Sequence, residues 1–254
     1  MLDPSETIRR IPQMNKELAQ LLGLLFTDGC VSRKGRNGWR IYFVNKSKSL
    51  VKLFRDCMVK VFGLDKERIR IGKRADGFLK AVVNSKEIGN YLVTMFGGFR
   101  TLKFRNGKLP NIKLPISKLQ KNDCATEFLK VIFSCDGGLC FYSAYRTGKQ
   151  GGTRWLIRTV FLACSHPQLR KSYSRLLKEL GIQTRNVSGD GKIKIETERD
   201  IKKFYKLIGF LPGVKITDHS KYWRGYEKEQ VLKLMIFSYN NPSKFYNLPK
   251  FHLR

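Results

Sequence analysis

Twice along this chain a run of apolar residues with helical spacing stops at an aspartate followed at once by glycine. The first run is Leu21-Leu22-Gly23-Leu24-Leu25-Phe26-Thr27-Asp28-Gly29; the second, 108 residues later, is Leu129-Lys130-Val131-Ile132-Phe133-Ser134-Cys135-Asp136-Gly137. A helix C-terminus carries about half a negative charge, so an aspartate there typically costs about 0.3–1 kcal/mol. Glycine beyond it is the ordinary terminator, because it enters the left-handed conformation without a side-chain clash. One such ending reads as a turn dipeptide. Two of them, each on a helix apolar enough to be buried, imply that two carboxylates are wanted in one place.

The sequence around the two endings repeats as well. After Asp28 come a strand-like stretch with Trp39-Arg40-Ile41-Tyr42-Phe43-Val44, then Lys46-Ser47, then an amphipathic helix over about 50–62 closed by Gly63. After Asp136 come a similar stretch with Ile157-Arg158-Thr159-Val160-Phe161-Leu162, then Cys164-Ser165, then a helix to Leu180 closed by Gly181. Phe43 and Phe161, Ser47 and Ser165, and Gly63 and Gly181 share one offset of 118 residues. A second strand pair follows in each copy, 69–71 with 78–83 and 184–187 with 192–195, and then a closing helix, 85–96 or 199–208. The unit is α-β-β-α-β-β-α used twice, too long for a solenoid module of 20–50 residues. The fold class expected is α+β, built from two pseudo-symmetric half-domains.

The two nonapeptides resemble the LAGLIDADG motif, and the doubled αββαββα unit is similar to the fold of LAGLIDADG homing endonucleases, over about residues 16–215. The first motif keeps Leu21, Gly23, Leu24, Asp28 and Gly29. The second keeps Leu129, Asp136 and Gly137 but has Val131 where the family has a glycine that lets the motif helices approach. The resemblance implies a β-saddle on DNA with the motif helices at the shared interface. It also implies one active site per strand, both served by the paired aspartates, and a double-strand break with short 3′ overhangs. Carried over by position, Lys103 after Gly98-Phe99 and Lys215 after Gly209-Phe210 stand as catalytic lysines. Ser47 and Ser165 fall where the family often has glutamine, though a helix cap is the simpler role for a serine there. The chain starts with Met1 and lacks the Cys or Ser start and His-Asn end of an intein, so an intron-encoded, freestanding enzyme is expected. The alternative on the same fold is a maturase acting on its own intron RNA, or a DNA-binding protein that does not cleave.

Composition agrees with a polyanionic partner. Lys+Arg 50 against Asp+Glu 20 gives a formal net charge of +30. Charge of one sign at that level repels itself in a monomer, and nucleic acid is its natural counterweight. Heat-adapted proteins raise glutamate along with lysine, so a generically basic surface is the poorer account. The sequence holds no 18-residue apolar span, signal peptide or basic amphipathic anchor, so a membrane partner and secretion are not expected, and an intracellular location is. The six cysteines form no Cys-x-x-Cys, and His166, His219 and His252 lie far apart. The cysteines read as small buried hydrophobes in a reducing compartment, and zinc is not expected. Walker, His-Glu-x-x-His and dinucleotide glycine motifs are missing. Asp200-Ile201-Lys202 is only a fragment of another nuclease signature.

Alternate residues of a strand face opposite ways. Arg40 and Tyr42 therefore oppose Ile41 and Phe43, Arg68 and Arg70 oppose Ile69 and Ile71, and Lys192 and Lys194 oppose Ile193 and Ile195. Each half offers one apolar face for its helices and one cationic face. The expected DNA-binding set is Lys34, Arg36, Asn37, Arg40, Tyr42, Arg68 and Arg70 in the first half. In the second it is Tyr142, Arg146, Arg154, Arg158, Arg185, Lys192 and Lys194. A major groove about 12 Å wide admits a two-stranded ribbon, so two sheets would reach two successive grooves of double-stranded DNA.

Two carboxylates held close repel unless a cation sits between them. Hard oxygen ligands completed by phosphate oxygens and water suit Mg²⁺. Asp28 and Asp136 are the expected metal ligands, and the backbone carbonyls of Thr27 and Cys135 could add to them. The organisation expected is an arm (1–15), a first half-domain (16–98), a linker (99–122), a second half-domain (123–215) and a C-terminal helix and tail (216–254), acting as a monomer.

Overall fold

The computed structural model describes residues 12–248 except 36–37, 103, 105, 122–123, 149–150, 187–188, 218–219 and 221, with backbone alone at 146–148 and 151–153. The first apolar run forms helix α1 (Lys16–Phe26), started by Asn15, whose Oδ1 accepts the Leu18 amide at 2.8 Å. Every residue from Leu18 to Phe26 is buried. A helix apolar on all sides must be enclosed by the rest of the protein.

The partner that encloses it is the second apolar run, α5 (Ala125–Asp136). Positions equivalent in the two motifs meet across the contact. A Cβ placed on Gly23 would lie 2.9 Å from the Val131 Cβ, closer than real Cβ contacts come. The glycine missing from the second motif is therefore answered by the glycine kept in the first: Val131 fills the notch that Gly23 leaves. At the end of α1 the Thr27 hydroxyl turns back to donate to the Gly23 carbonyl at 2.9 Å. Toward the helix starts, Gln20 Nε2 donates to Glu127 Oε2 at 2.7 Å.

Around α1 stand β1 (Gly29–Lys34), β2 (Gly38–Asn45), α2 (Lys48–Phe62), β3 (Arg70–Lys73), β4 (Leu79–Asn84) and α3 (Lys86–Phe96). The linker carries a short helix α4 (Ile116–Lys121), and α5 is followed by β5 (Gly137–Gly148), β6 (Gly151–Ala163), α6 (Pro167–Glu179), β7 (Arg185–Asn186), β8 (Lys192–Ile195) and α7 (Glu198–Leu207). The two four-stranded antiparallel sheets have the same order, β1-β2-β4-β3 and β5-β6-β8-β7. The α+β duplication expected from sequence is thus the fold. Ile41, Phe43, Ala81 and Val83 face inward in one sheet, and Val160, Leu162, Ile193 and Ile195 in the other. Phe43 stacks on Phe54 at 5.7 Å, and Phe133 meets Phe204 at 4.7 Å.

Local signals place the ends. Ser47, Ser85 and Thr197 cap α2, α3 and α7, and Gly63 closes α2 in the left-handed region at φ 65°. Asp200 is buried in that last cap, bonded to the Thr197 hydroxyl at 2.6 Å, so it is structural. Arg68 departs from expectation: it lies in a 3-10 turn (Lys66–Arg68) ahead of β3. Among the described residues no helix is long and apolar enough to cross a membrane.

Beyond α7 the chain returns over the second half, pairs Lys215 with Glu227, and forms α8 (Lys228–Asn240) and a 3-10 turn (Pro242–Phe245). This segment covers the inner face of the long β5–β6 hairpin. Trp223 stacks on Phe141 at 5.6 Å and donates its indole N–H to the Phe141 carbonyl at 2.6 Å, while Phe245 lies 5.5 Å from the same ring.

The Gly23 notch makes a quantitative demand. Gly23→Ala should destabilise the fold by about 1–3 kcal/mol through overpacking, despite alanine's better helix propensity. A double-mutant cycle with Val131→Gly, read from thermal melts, should show favourable coupling; additive effects would break the pairing.

Candidate active site and nucleic-acid interface

The glycines after the two aspartates are explained by crowding. Gly137 is extended, at φ −85°, and Gly29 is not in the left-handed region either. A Cβ on Gly29 would sit 2.5 Å from Leu25 Cα, and one on Gly137 would run into the Phe133 carbonyl oxygen. The left-handed conformation expected from the dipeptide is not what the helix ends use. Each strand instead folds straight back on its own helix, which sets both carboxylates at the α1–α5 junction.

Asp28 and Asp136 are held there against their charge. Burial raises the Asp28 carboxyl above its ordinary value, opposed by an Asn45 hydrogen bond and by the Lys228 charge. Asn45 Nδ2 donates to Asp28 Oδ2 at 2.7 Å. Burial, and then the charge of Asp28, push Asp136 up to about 7. Desolvation, and then the charge of Asp28, push the half-buried Cys135 well up, and it stays a thiol. Lys228 begins α8 and is only 6% exposed. Its Nζ donates to the Ser134 and Gly137 carbonyls at 2.7 Å each, clamping the end of α5. Burial lowers Lys228 to about 8, while Cys135, Asp136 and Asp28 pull the other way.

Asn45 and Lys228 were not among the residues expected from sequence, yet both break a pattern. Asn45 shares a strand face with Ile41 and Phe43, so it is a polar side chain on the apolar side. Lys228 lies on one helical stripe with Val231, Leu232 and Met235, all buried. Lys215 is exposed and lines a cavity of about 460 Å³ with Asn45, Cys135 and Lys228. Lys103 lies outside the described residues. Ser47 caps α2 as a serine should, but Ser165 does not cap α6, where His166 accepts the Leu169 amide.

That last detail exposes a one-residue slip in the repeat. Gly29 pairs with Phe43 and Gly137 with Leu162, so the residue equivalent to Phe43 is Leu162, not Phe161. A slip of one turns every side chain to the other face. Arg158 and Arg154 therefore lie on the inner side, a correction to the expected DNA face. Arg158 donates to Ser238 Oγ and Ser238 O at 2.8 and 2.9 Å over the Tyr239 ring, and Arg154 donates to Asn247 Oδ1 at 3.0 Å.

The remaining expected residues sort by register. Lys34, Arg40, Tyr42 and Arg70 share the outward face of the first sheet with Ser32, Lys80 and Asn84. Lys80 sits 4.4 Å over the Tyr42 ring, and the buried Arg40 Nε has no hydrogen-bond partner among the described residues. Exposed Arg68 flanks that face beside Arg70. In the second sheet Tyr142, Arg185, Lys192 and Lys194 face outward, with Asp190 2.8 Å from Lys194 and Glu196 3.4 Å from Arg185. Arg36, Asn37 and the Arg146 side chain lie outside the described residues.

The donor set suits a hard cation. It consists of two carboxylates with backbone carbonyls beside them. Among the described residues no group of three or more His, Cys, Asp or Glu side chains could hold a metal alone. Phosphate oxygens and water would have to complete the shell, as Mg²⁺ allows.

Residues 15–93 match the family model of the LAGLIDADG-like domain. The replication factor C small subunit of Methanocaldococcus jannaschii is 30% identical over 125 residues, which is 49% of this chain but 6% of that protein. Among solved structures, I-DmoI in complex with DNA and Mn has a TM-score of 0.49 at 18% identity, covering 76% of this chain and 96% of that one. The N-terminal LAGLIDADG domain of DUF199/WhiA has a TM-score of 0.46 at 13% identity, covering 80% and 88%. Residues 15–93 are thus similar to a LAGLIDADG-like domain, and their Asp-Gly helix ending and sheet order recur in the second half of the chain.

Asp136 links stability to pH. Its folded pKa is raised, from 3.8 to about 7, so the folded state keeps a proton that the unfolded chain gives up. The stability this contributes is full below pH 4 and lost as pH rises through 7. Asp136→Asn should therefore stabilise the metal-free protein at pH 8, by up to about 4 kcal/mol, and leave it unchanged at pH 4. Melting curves at the two pH values decide it; the same shift at both would remove Asp136 as the cause.

Proposed function

We propose that the chain is a site-specific endonuclease that binds a long, asymmetric duplex as a single chain and cuts both strands with Mg²⁺ or another hard divalent cation. What supports the reading most is the pair of largely buried carboxylates, brought from equivalent helix ends close enough for the Asp28 charge to raise Asp136. Burial and the Asp28 charge disfavour ionisation of the pair, and a bound cation would offset both. Asp28 and Asp136 would hold the metal, with the Thr27 and Cys135 carbonyls able to add to them. Asn45 occupies Asp28 Oδ2 and leaves Oδ1 for a cation. Lys228 fixes the carbonyls flanking Cys135, which keeps the α5 end from fraying. Lys215, at the cavity mouth, and Lys103 are the cations assigned to the scissile phosphate. A bound divalent ion supplies charge for the leaving oxygen and acidifies a water.

The second reading is a DNA-binding protein that does not cleave. Lys228 favours it, because a built-in ammonium beside both carboxylates lets the pair persist without metal.

With a duplex recovered by selection from random sequence, Asp28→Asn and Asp136→Asn should each abolish Mg²⁺-dependent double-strand cleavage. Affinity should stay equal or rise, because each change removes charge that repels phosphate. Parallel loss of binding and cleavage would make the carboxylates structural. Light scattering should find one chain per duplex; two chains on a palindrome would overturn the single-chain reading.

A further inference from the structure

The two outward faces differ in chemistry at matched positions. Aligned by the Gly29–Phe43 and Gly137–Leu162 pairs, Ser32, Lys34, Arg40 and Tyr42 correspond to Cys140, Tyr142, Thr159 and Phe161. Each step from the first sheet to the second removes a charge or a hydrogen-bonding group or replaces it with a weaker one. On the flanking strands the cations are kept: Arg70 and Lys80 correspond to Arg185 and Lys192. The second hairpin is also longer, 12 and 13 residues against 6 and 8. Its outward face has Tyr142 paired with Ile157 where the first sheet has Lys34 and Gly38, and adds Ala144 paired with Trp155 beyond them. Trp155 is 38% exposed, while Ala144, Tyr142 and Ile157 are partly exposed.

An apolar band on the outward face of a +30 chain, flanked by lysines and continuous with a cationic sheet, fits an anionic partner with an apolar surface of its own. Duplex DNA has one in its major groove, the thymine 5-methyl, which proteins contact with apolar side chains, whereas Arg, Lys and Asn read base edges by hydrogen bonds. Resting on the DNA-recognition reading above, we infer that the two hairpins read their half-sites by different physics. The β1–β2 hairpin reads hydrogen-bonding edges through Arg40, Lys34 and Ser32. The β5–β6 hairpin reads thymine methyls through Trp155, Ile157 and Tyr142, so its half-site is thymine-rich. Six more residues at about 3.3 Å each carry this hairpin roughly 20 Å further, about six base pairs.

The test begins with selection of binding duplexes from a random library by the full chain, by Trp155→Ala and by Arg40→Ala. Each variant should relax preference at one end of the recovered site, and this marks which half-site each hairpin holds. The wild-type site is then made with deoxyuridine for thymine in one half or the other, which removes methyls without touching the protein. Loss of affinity of about fourfold per contacted methyl is expected in the Trp155 half, and less than twofold in the Arg40 half. Equal losses in both halves, or none in the Trp155 half, overturn the inference and leave the DNA reading standing. So does tight capture of single strands that competes with duplex, which would make the band a stacking platform. DNA-independent self-association abolished by Trp155→Ala overturns it too, as an interface between copies. A library that yields no enriched sequence overturns the proposed function itself.

Discussion

Two carboxylates buried side by side repel each other and have lost the water that would have screened them, and most of the unusual features near the middle of this protein answer that one problem. Burial raises both Asp28 and Asp136, and Asp28 further raises its partner. Three local devices oppose the strain. An amide reaches Asp28 from β2, an ammonium from α8 acts on both acids, and the half-buried thiol of Cys135 stays protonated and adds no third negative charge. None removes the repulsion: Asp136 is still left at about 7.

The devices are not symmetric. By register, the residue matching Asn45 is Cys164, whose thiol lies 3.6 Å from the His166 carbonyl and does not serve Asp136. The second aspartate has Lys228 instead, clamped to the helix end that carries it. One acid is thus oriented by a neutral donor on its own sheet, the other by a cation from an element without a counterpart in the first half. The fold has kept its two-fold outline and given the two chemical positions different surroundings.

Much of this was legible in the sequence. The paired Asp-Gly endings, the doubled αββαββα order and the alternation in β2 and β8 all follow from local pattern, because helix period, strand period and glycine placement are local properties. The failures have one physical root each. An offset of 118 aligned Phe43 with Phe161 by residue type. Strand pairing, which is non-local, aligns Phe43 with Leu162, and that single step carried Arg154 and Arg158 to the wrong face. The Asp-Gly glycines were read through backbone conformation, whereas they answer a close approach that needs three dimensions to be seen. Lys228 is one cation among 50, and only its place on the stripe of Val231, Leu232 and Met235 marks it as inward.

The Gly23–Val131 contact reaches beyond packing, into the history such a chain can have. A single-motif ancestor would present the same residue from both copies. Two copies of the present first half would set glycine against glycine and leave a void; two of the second would drive valine into valine. Each half has become the complement of the other and a poor partner for itself. With glycine on one helix and valine on the other, neither half can pair with a copy of itself as it pairs with its partner, and the two outward sheet faces are held in one molecule however far their chemistry differs.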